Sequence, residues 1–339
     1  MFMKKFDIES LKSAKAAIKA AKSVIITGHT NPDGDAMGAC LALYNSLKKV
    51  TNAKVIMPSD YASFLKWMPG SDLIKVYSKG LDTFIANADV IFSLDYNELS
   101  RLGNMEVIVK QSKALKIMID HHPYPDTYAQ LNFNDETASS ASELVYEFIL
   151  SNFPETIDKD VAECIYTGML TDTGSFSFNS SMPRTFEIVA DLLKHGIDKN
   201  RVINNIYDNF SESRMRLMGY ILNKKMKVFP EIHTGFITLT LAEQEMYNYQ
   251  IGDSEGFVNM PLSIKGLRFS ALFIENKDIV KCSFRSKGSF AVNEFSKKYF
   301  NGGGHKNAAG GKSFETLENT VQKFESLLTI YNNQLKNLV

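Results

Sequence analysis

The sequence predicts an α/β protein: an N-terminal domain built on a parallel sheet, joined by a helical connection to a smaller α+β domain. Three observations carry this. Short apolar runs alternate with helical spacing through the first half. Histidines and aspartates cluster directly after those runs, and in open α/β sheets the carboxyl ends of the strands are where ligands bind. The last third then changes to closely spaced alternating strands and a final helix.

Taken in order, residues 23–28 (SVIITG) form an apolar run closed by glycine, which suits a buried strand. Residues 33–49 carry Met37, Leu41, Tyr44 and Leu47 at helical spacing. Residues 53–57 (AKVIM), 89–94 (DVIFSL) and 115–119 (LKIMI) read as further strands. Helices are predicted over 142–150 and 160–170, closing the first domain. Helices over 183–195 and 200–224 follow, with Gly196 ending the first of them. No Gly/Ser-rich tether interrupts this region, so a helical connection is expected. The expected partition is 1–190 for the first domain, 191–225 for the connection and 226–339 for the second domain.

In the last third, residues 235–241, 267–275 and 279–284 alternate as strands, with ENKD at 275–278 as a hairpin turn. Residues 292–300 look helical, a glycine-rich loop follows, and a last helix begins near Glu315.

Composition narrows the classes. A chain of 339 residues has room for about two ordinary domains. Apolar residues at 44% and charged residues at 22% allow a normal core. Lys+Arg and Asp+Glu are 38 each, so the net charge is zero, which argues against a broad grip on duplex nucleic acid. No apolar run approaches a membrane span, and the N-terminus does not read as a signal peptide. Cys40, Cys164 and Cys282 are too few and too scattered for a disulfide framework. Each is expected as a small buried hydrophobe in a reducing cytoplasm.

The densest chemical signal is His29-Thr-Asn-Pro-Asp33-Gly-Asp35-Ala-Met-Gly38, at a strand-to-helix junction. His29 and Asp33 can turn back to share a cation, or Asp33 can simply cap the helix. Asp35, two residues further on, cannot point the same way at a helix start, which suits a second cation nearby. Imidazole mixed with carboxylate favours manganese, iron or zinc over calcium. Asp120-His121-His122 follows the apolar strand at 115–119, where three titratable groups would be costly unless paired or metallated. Asp95 and Asp172 occupy similar ends of elements. Further on, residues 301–311 (NGGGHKNAAGG) bring His305 and Lys306 into a run whose glycines let backbone N–H groups approach an anion. Arg285, at the end of a strand, suits bidentate recognition of phosphate. His195, at a helix end, and His233, in a turn, are expected to be structural. Met215, Leu217, Met218 and Tyr220 are expected as core, with a dimer face as the alternative.

Together these residues resemble the DHH phosphoesterase superfamily with its DHH-associated C-terminal domain, and the resemblance covers nearly the whole chain. His29–Gly38, Asp95, Asp120–His122 and Asp172 match its four N-terminal motifs in order, and Gly302–Gly310 its glycine-histidine motif. The resemblance implies two Mn2+ ions, with Mg2+, Fe2+ or Co2+ as alternatives. His29, Asp33 and Asp95 would hold one ion; Asp35, Asp95, His121 and Asp172 would hold the other, with Asp95 bridging. His122 would contact the scissile phosphate or leaving oxygen as hydrogen-bond donor or general acid. Asp120 would orient His121, since a metal-bound histidine usually donates its other N–H to an acceptor. Arg285, Ser286, Gly302, Gly303, Gly304 and His305 would bind substrate.

The chain is shorter than RecJ-type exonucleases and lacks the membrane segments of membrane-bound cyclic-dinucleotide phosphodiesterases. It therefore looks like the stand-alone members that cleave oligoribonucleotides of two to five residues and convert 3′-phosphoadenosine 5′-phosphate (pAp) to AMP. A phosphodiesterase for linear pApA or cyclic di-AMP is the alternative. Expected partners are these short substrates and a second copy in a homodimer, with no stable duplex and no membrane.

Overall fold

Every apolar run read as a strand in the first half forms one. The computed structural model describes residues 6–336. They divide into two units, the first ending at Asn209 and the second beginning at Phe210.

The strands of the first unit are β1 (Val24–Thr27), β2 (Ala53–Met57), β3 (Lys75–Val76), β4 (Val90–Leu94), β5 (Leu115–Asp120) and β6 (Leu131–Asn134). Its helices are α1 (Ile8–Ala20), α2 (Gly34–Leu47), α3 (Asp82–Ala86), α4 (Glu106–Gln111), α5 (Ala141–Asn152), α6 (Lys159–Asp172), α7 (Pro183–Lys194) and α8 (Lys199–Tyr207). The sheet is wholly parallel in the order β3-β2-β1-β4-β5-β6. Strand residues are apolar on both faces because both faces are covered. Val24, Ile26 and Phe92 join the core shared with α2, α5 and α6, while Ile25 and Ile91 join a second core with Ile85, Leu102 and Val109. The chain leaves β1 toward one edge and later returns to β4 on its other side. That reversal opens a crevice beyond the carboxyl ends of β1 and β4.

Helices α2 and α6 cross glycine against glycine. A Cβ on Gly38 would lie 2.7 Å from the Cys164 carbonyl oxygen and 2.8 Å from the Gly168 Cα. A Cβ on Gly168 would meet both Ser142 and the Asp35 carboxylate, at 2.9 Å from Oδ1. This crossing therefore sets the spacing between Asp35 on α2 and Asp172 at the end of α6. Gly38→Ala is expected to destabilise the fold by about 1–3 kcal/mol, the range for overpacking a tight contact. It should also weaken metal binding. Urea unfolding and metal titration check both, and a variant of unchanged stability would show that the helices part freely.

The second unit carries β7 (Lys227–Phe229), β8 (Thr234–Leu239), β9 (Phe269–Glu275), β10 (Val280–Ser286), β11 (Gly303–His305) and β12 (Ala308–Ser313). Its helices are α9 (Glu212–Tyr220), α10 (Leu241–Met246), α11 (Val292–Tyr299), α12 (Leu317–Ile330) and α13 (Asn332–Lys336). The sheet order is β11-β12-β10-β9-β8-β7, antiparallel except for the parallel pair β8 and β9. Phenylalanines fill its core, with Phe273 and Phe324 edge to face at 5.0 Å and Phe284 and Phe295 at 5.4 Å. The predicted turn at 275–278 joins β9 to β10, closed by the Asn276 N–H donating to the Ile279 carbonyl.

Two expected elements are corrected. Residues 200–224 are not one helix: α8 stops at Tyr207, and Ser211 caps a new helix by accepting from the Arg214 N–H at 3.0 Å. The boundary between units falls in that break. The glycine-rich run is no loop but the hairpin of β11 and β12, which pairs along β10 despite its poor strand composition. The helix predicted over 160–170 runs on to Asp172, which keeps its expected place at the end of an element as the last residue of α6.

Most other readings agree with the structure. All three cysteines are buried and unpaired in disulfides. His195 follows the last turn of α7, and His233 lies in a left-handed turn with its Nδ1 2.8 Å from the Gly266 carbonyl. Leu217 is buried in the second unit with Met218 and Tyr220 packed on the same cluster, but Met215, also expected as core, is corrected: it is exposed, on the outer side of α9. Among the described residues no helix is long and apolar enough to cross a membrane.

Candidate metal centre

Five aspartates and three histidines of the first unit meet at the crevice between β1 and β4. His29 lies just beyond β1, buried, with Nδ1 2.9 Å from the Thr30 carbonyl. That bond places the N–H on Nδ1 and leaves the Nε2 lone pair aimed into the cluster. There Nε2 faces Asp95 Oδ2 at 3.5 Å and Asp33 Oδ2 at 4.0 Å.

Both roles considered for Asp33 are present in one side chain. Its Oδ1 caps α2, accepting from the N–H groups of Asp35 and Ala36, while Oδ2 faces His29. Asp35 points elsewhere, as its place two residues on requires. Its carboxylate accepts the backbone N–H groups of Ala141 at 2.6 Å and Ser142 at 2.9 Å, at the start of α5. The sequence alone did not reveal these two donors, because backbone groups leave no residue signature.

Asp95 follows β4 in the left-handed region at φ 62°, a conformation uncommon outside glycine, asparagine and aspartate. It faces three imidazoles at once. Oδ1 is 3.5 Å from His121 Nε2 and 3.7 Å from His122 Nδ1, and Oδ2 faces His29. His121 Nε2 also faces Asp172 Oδ2 at 3.6 Å and Asp35 Oδ2 at 3.9 Å.

The expected role of Asp120 is corrected by this geometry. Its Oδ1 accepts from His122 Nδ1 at 2.8 Å, so it orients His122 and not His121. His121 Nδ1 instead faces the Ala138 carbonyl, at 3.4 Å. Asn134, at the end of β6, donates to the His122 carbonyl at 2.9 Å. That support escaped the sequence reading, because β6 is a short, half-exposed edge strand without an apolar run.

Charge accounts for the electrostatics. Burial raises the Asp35 carboxyl well above its ordinary value, and the charges of Asp95 and Asp172 add to this. Burial likewise pushes Asp172 up to about 6, with Asp33 and Asp95 adding and His121 opposing. For Asp95 burial acts upward too, yet the facing imidazoles of His121, His29 and His122 together outweigh it and hold the group well below the usual range. Burial works against the charged form of His121, but Asp95 and Asp172 hold its value well above that of a free histidine.

Cations fit this arrangement better than protons do. The His–Asp separations of 3.5–4.0 Å are too long for hydrogen bonds. Two donors can still share an ion at roughly 2.1 Å from each. Asp120 Oδ2 and Asp172 Oδ2 are buried with no hydrogen-bond partner among the described residues. Two sets of donor atoms, His29–Asp33–Asp95 and Asp35–Asp95–His121, each lie within 4.8 Å and share Asp95. A third set joins Asp95, Asp120 and His122. Ligation requires deprotonated carboxylates. Neutral imidazole is required as well, so affinity for Mn2+ is expected to weaken already as pH falls across the neutral range, where His121 holds its proton, and further through about 6, where Asp172 takes up its own. Calorimetric titrations across that interval check this, and an affinity indifferent to pH would remove Asp172 from the ligand set.

In the second unit, Arg285 on β10 stands opposite Ala308 on β12, which stands opposite His305 on β11. Residues directly opposite share a face of the sheet, so Arg285 and His305 lie on one face, two strands or about 10 Å apart. Ser286 is buried, its hydroxyl donating to the Phe290 carbonyl and accepting from Asn307 Nδ2. A Cβ on Gly302 would lie 2.0 Å from the Gly310 carbonyl oxygen, so packing of the hairpin alone demands glycine there. Gly303 has open space beside it.

Comparison with known proteins adds the following. Residues 23–169 match the DHH family N-terminal domain, and residues 236–337 match the DHHA1 domain. A Streptococcus mutans protein described as a probable bifunctional oligoribonuclease and PAP phosphatase NrnA is 30% identical over 328 residues, spanning 94% of this chain and 99% of that protein. The bifunctional oligoribonuclease and PAP phosphatase NrnA of Bacillus subtilis is 26% identical over 90% of this chain and 94% of its own. A crystal structure of an exopolyphosphatase-related protein from Bacteroides fragilis superposes with a TM-score of 0.93 at 42% identity, covering 99% of this chain and all of the other.

Proposed function

The chain belongs to the DHH family, and from that premise we propose that it is a metal-dependent phosphoesterase that hydrolyses short oligoribonucleotides to mononucleotides and pAp to AMP. The observation that carries the reading is the pair of donor sets sharing Asp95 at the crevice of the parallel sheet. The names of the S. mutans and B. subtilis relatives support the choice of substrates.

The residues proposed as ligands are His29, Asp33 and Asp95 for one divalent cation, and Asp35, Asp95, His121 and Asp172 for the other. Manganese is the proposed metal, on the mixture of imidazole and carboxylate donors. Cations held there supply positive charge for phosphoryl oxygens and ease the deprotonation of water near neutral pH.

The chain's own groups do the rest. His29 is locked by Thr30, and Asp35 by the α5 N-terminus, so the donors are in place before substrate arrives. Asp120 holds the Nδ1–H of His122, which leaves Nε2 to hold or move a proton at the phosphoryl or leaving oxygen. Arg285, His305 and the N–H groups of Gly302, Gly303 and Gly304 are proposed to bind the substrate's remaining anionic groups, with Ser286 in support. Binding the remote phosphate improves positioning of the scissile one.

The test is product release from equal concentrations of pAp, pApA, cyclic di-AMP, a long single-stranded RNA and inorganic polyphosphate, with Mn2+ present and with a chelator. Fast, metal-dependent cleavage of pAp and pApA is the expected result. Preference for cyclic di-AMP would move the protein into nucleotide signalling. Preference for polyphosphate would favour the activity for which the B. fragilis relative is named. No turnover of any of them would overturn the reading.

A further inference from the structure

Two residues beyond His122 stands a side chain that packing does not explain. Tyr124 is 81% exposed, and its φ of 56° puts an aromatic residue in the left-handed region. It also precedes Pro125, and a residue before proline is normally driven to extended backbone. The position is thus disfavoured twice over. Conformations of this kind persist only where the surroundings impose them, and they gather at ligand sites.

The surroundings do impose it. Asn134 donates to the His122 carbonyl at 2.9 Å, and Asn97 donates to the Pro123 carbonyl at 2.8 Å. The Asp126 N–H donates back to the Asn97 carbonyl at 2.8 Å. The loop is therefore tied on both sides of Tyr124 by residues from the ends of β4 and β6, the strands flanking β5. Prolines before and after the tyrosine stiffen it further. The backbone that carries the ring is held in place while the ring itself faces solvent. That place is close to the chemistry, since two residues span at most about 7 Å of chain.

We propose that Tyr124 is a stacking platform for the nucleobase next to the scissile phosphate, and so determines preference for nucleotides over base-free phosphoesters. This rests on the functional reading given above. A rigid, flat, amphipathic ring suits a nucleobase of any sequence, because every base offers a π face. It also suits short substrates, for which one stacked base makes up much of the available binding surface.

The experiment compares Tyr124→Ala and Tyr124→Phe with the parent protein on two substrates: pAp and the corresponding ribose 3′,5′-bisphosphate without a base. For Tyr124→Ala, KM for pAp should rise about tenfold, the low end of base–aromatic stacking, with kcat within about twofold. Tyr124→Phe should restore the parent KM, since the ring and not the hydroxyl is used. The base-free substrate should show the same KM with all three proteins. As an independent readout, a dinucleotide carrying 2-aminopurine should be quenched on binding by the parent and Phe proteins but not by the Ala variant.

An unchanged KM for pAp in Tyr124→Ala overturns the proposal, as does an equal rise for both substrates. In either case the parent still cleaves pAp and the functional reading stands. A parent protein inactive on pAp and on dinucleotides overturns the functional reading and this proposal with it. The ring is on the surface, so melting temperatures should match and folding should not obscure the comparison.

Discussion

Asp95→Asn is expected to lower turnover by at least about a thousandfold, equivalent to about 4 kcal/mol of activation barrier, and to cost the protein at least one bound metal ion. Every candidate donor set confined to the first unit contains Asp95. Without its charge, His29 and Asp33 remain as a pair, too few for a tight site. Asp35, His121 and Asp172 lose the carboxylate that joins them to that pair. Asparagine is the informative substitution, because it keeps the size of the side chain and tolerates the left-handed backbone at φ 62°. Alanine at the same place would add backbone strain and confuse loss of a ligand with loss of structure. Metal content after dialysis, measured beside turnover of pAp, gives the answer. An Asp95→Asn protein that keeps its metals and its rate would show that the two sets are not joined through this residue.

The elements that carry the site were legible in sequence for a physical reason. Buried parallel strands must be apolar on both faces, so β1, β2, β4 and β5 stand out as continuous apolar runs, and the polar residues just beyond them stand out by contrast. The divergence of Asp33 and Asp35 was readable as well, because helix geometry separates residues two apart. What escaped was whatever depends on pairing or backbone donors. β6 has only Phe133 fully buried and offers no run to detect, yet its last residue supports His122. The hairpin of β11 and β12 takes its strand character from the neighbouring β10 and not from its own glycines. Asp120 belongs beside His122, two residues on, because alternate residues of an extended chain lie on one side. The expectation that a metal-bound histidine donates its other N–H to an acceptor had pointed to the neighbour His121 instead.

That geometry separates two histidines that the motif sets side by side, and a second substitution tests the separation. His122→Ala is expected to lower turnover by about 100- to 10,000-fold, the usual worth of a positioned acid or base, while metal content stays near that of the parent. His121→Ala should lose both together, because its Nε2 faces three carboxylates. The His122 ring is held through Nδ1 by a fully buried aspartate, and in the proposed reading its other nitrogen serves the substrate. Asp120→Asn should therefore reproduce part of the His122→Ala loss. The two changes combined should cost little more than His122→Ala alone, since a residue that acts through its neighbour has nothing to add once the neighbour is gone. The opposing possibility is concrete, because Asp95, Asp120 and His122 also form a candidate donor set. If His122→Ala loses metal in proportion to activity, that set is the true one, and the proton at the leaving oxygen must be held by another group.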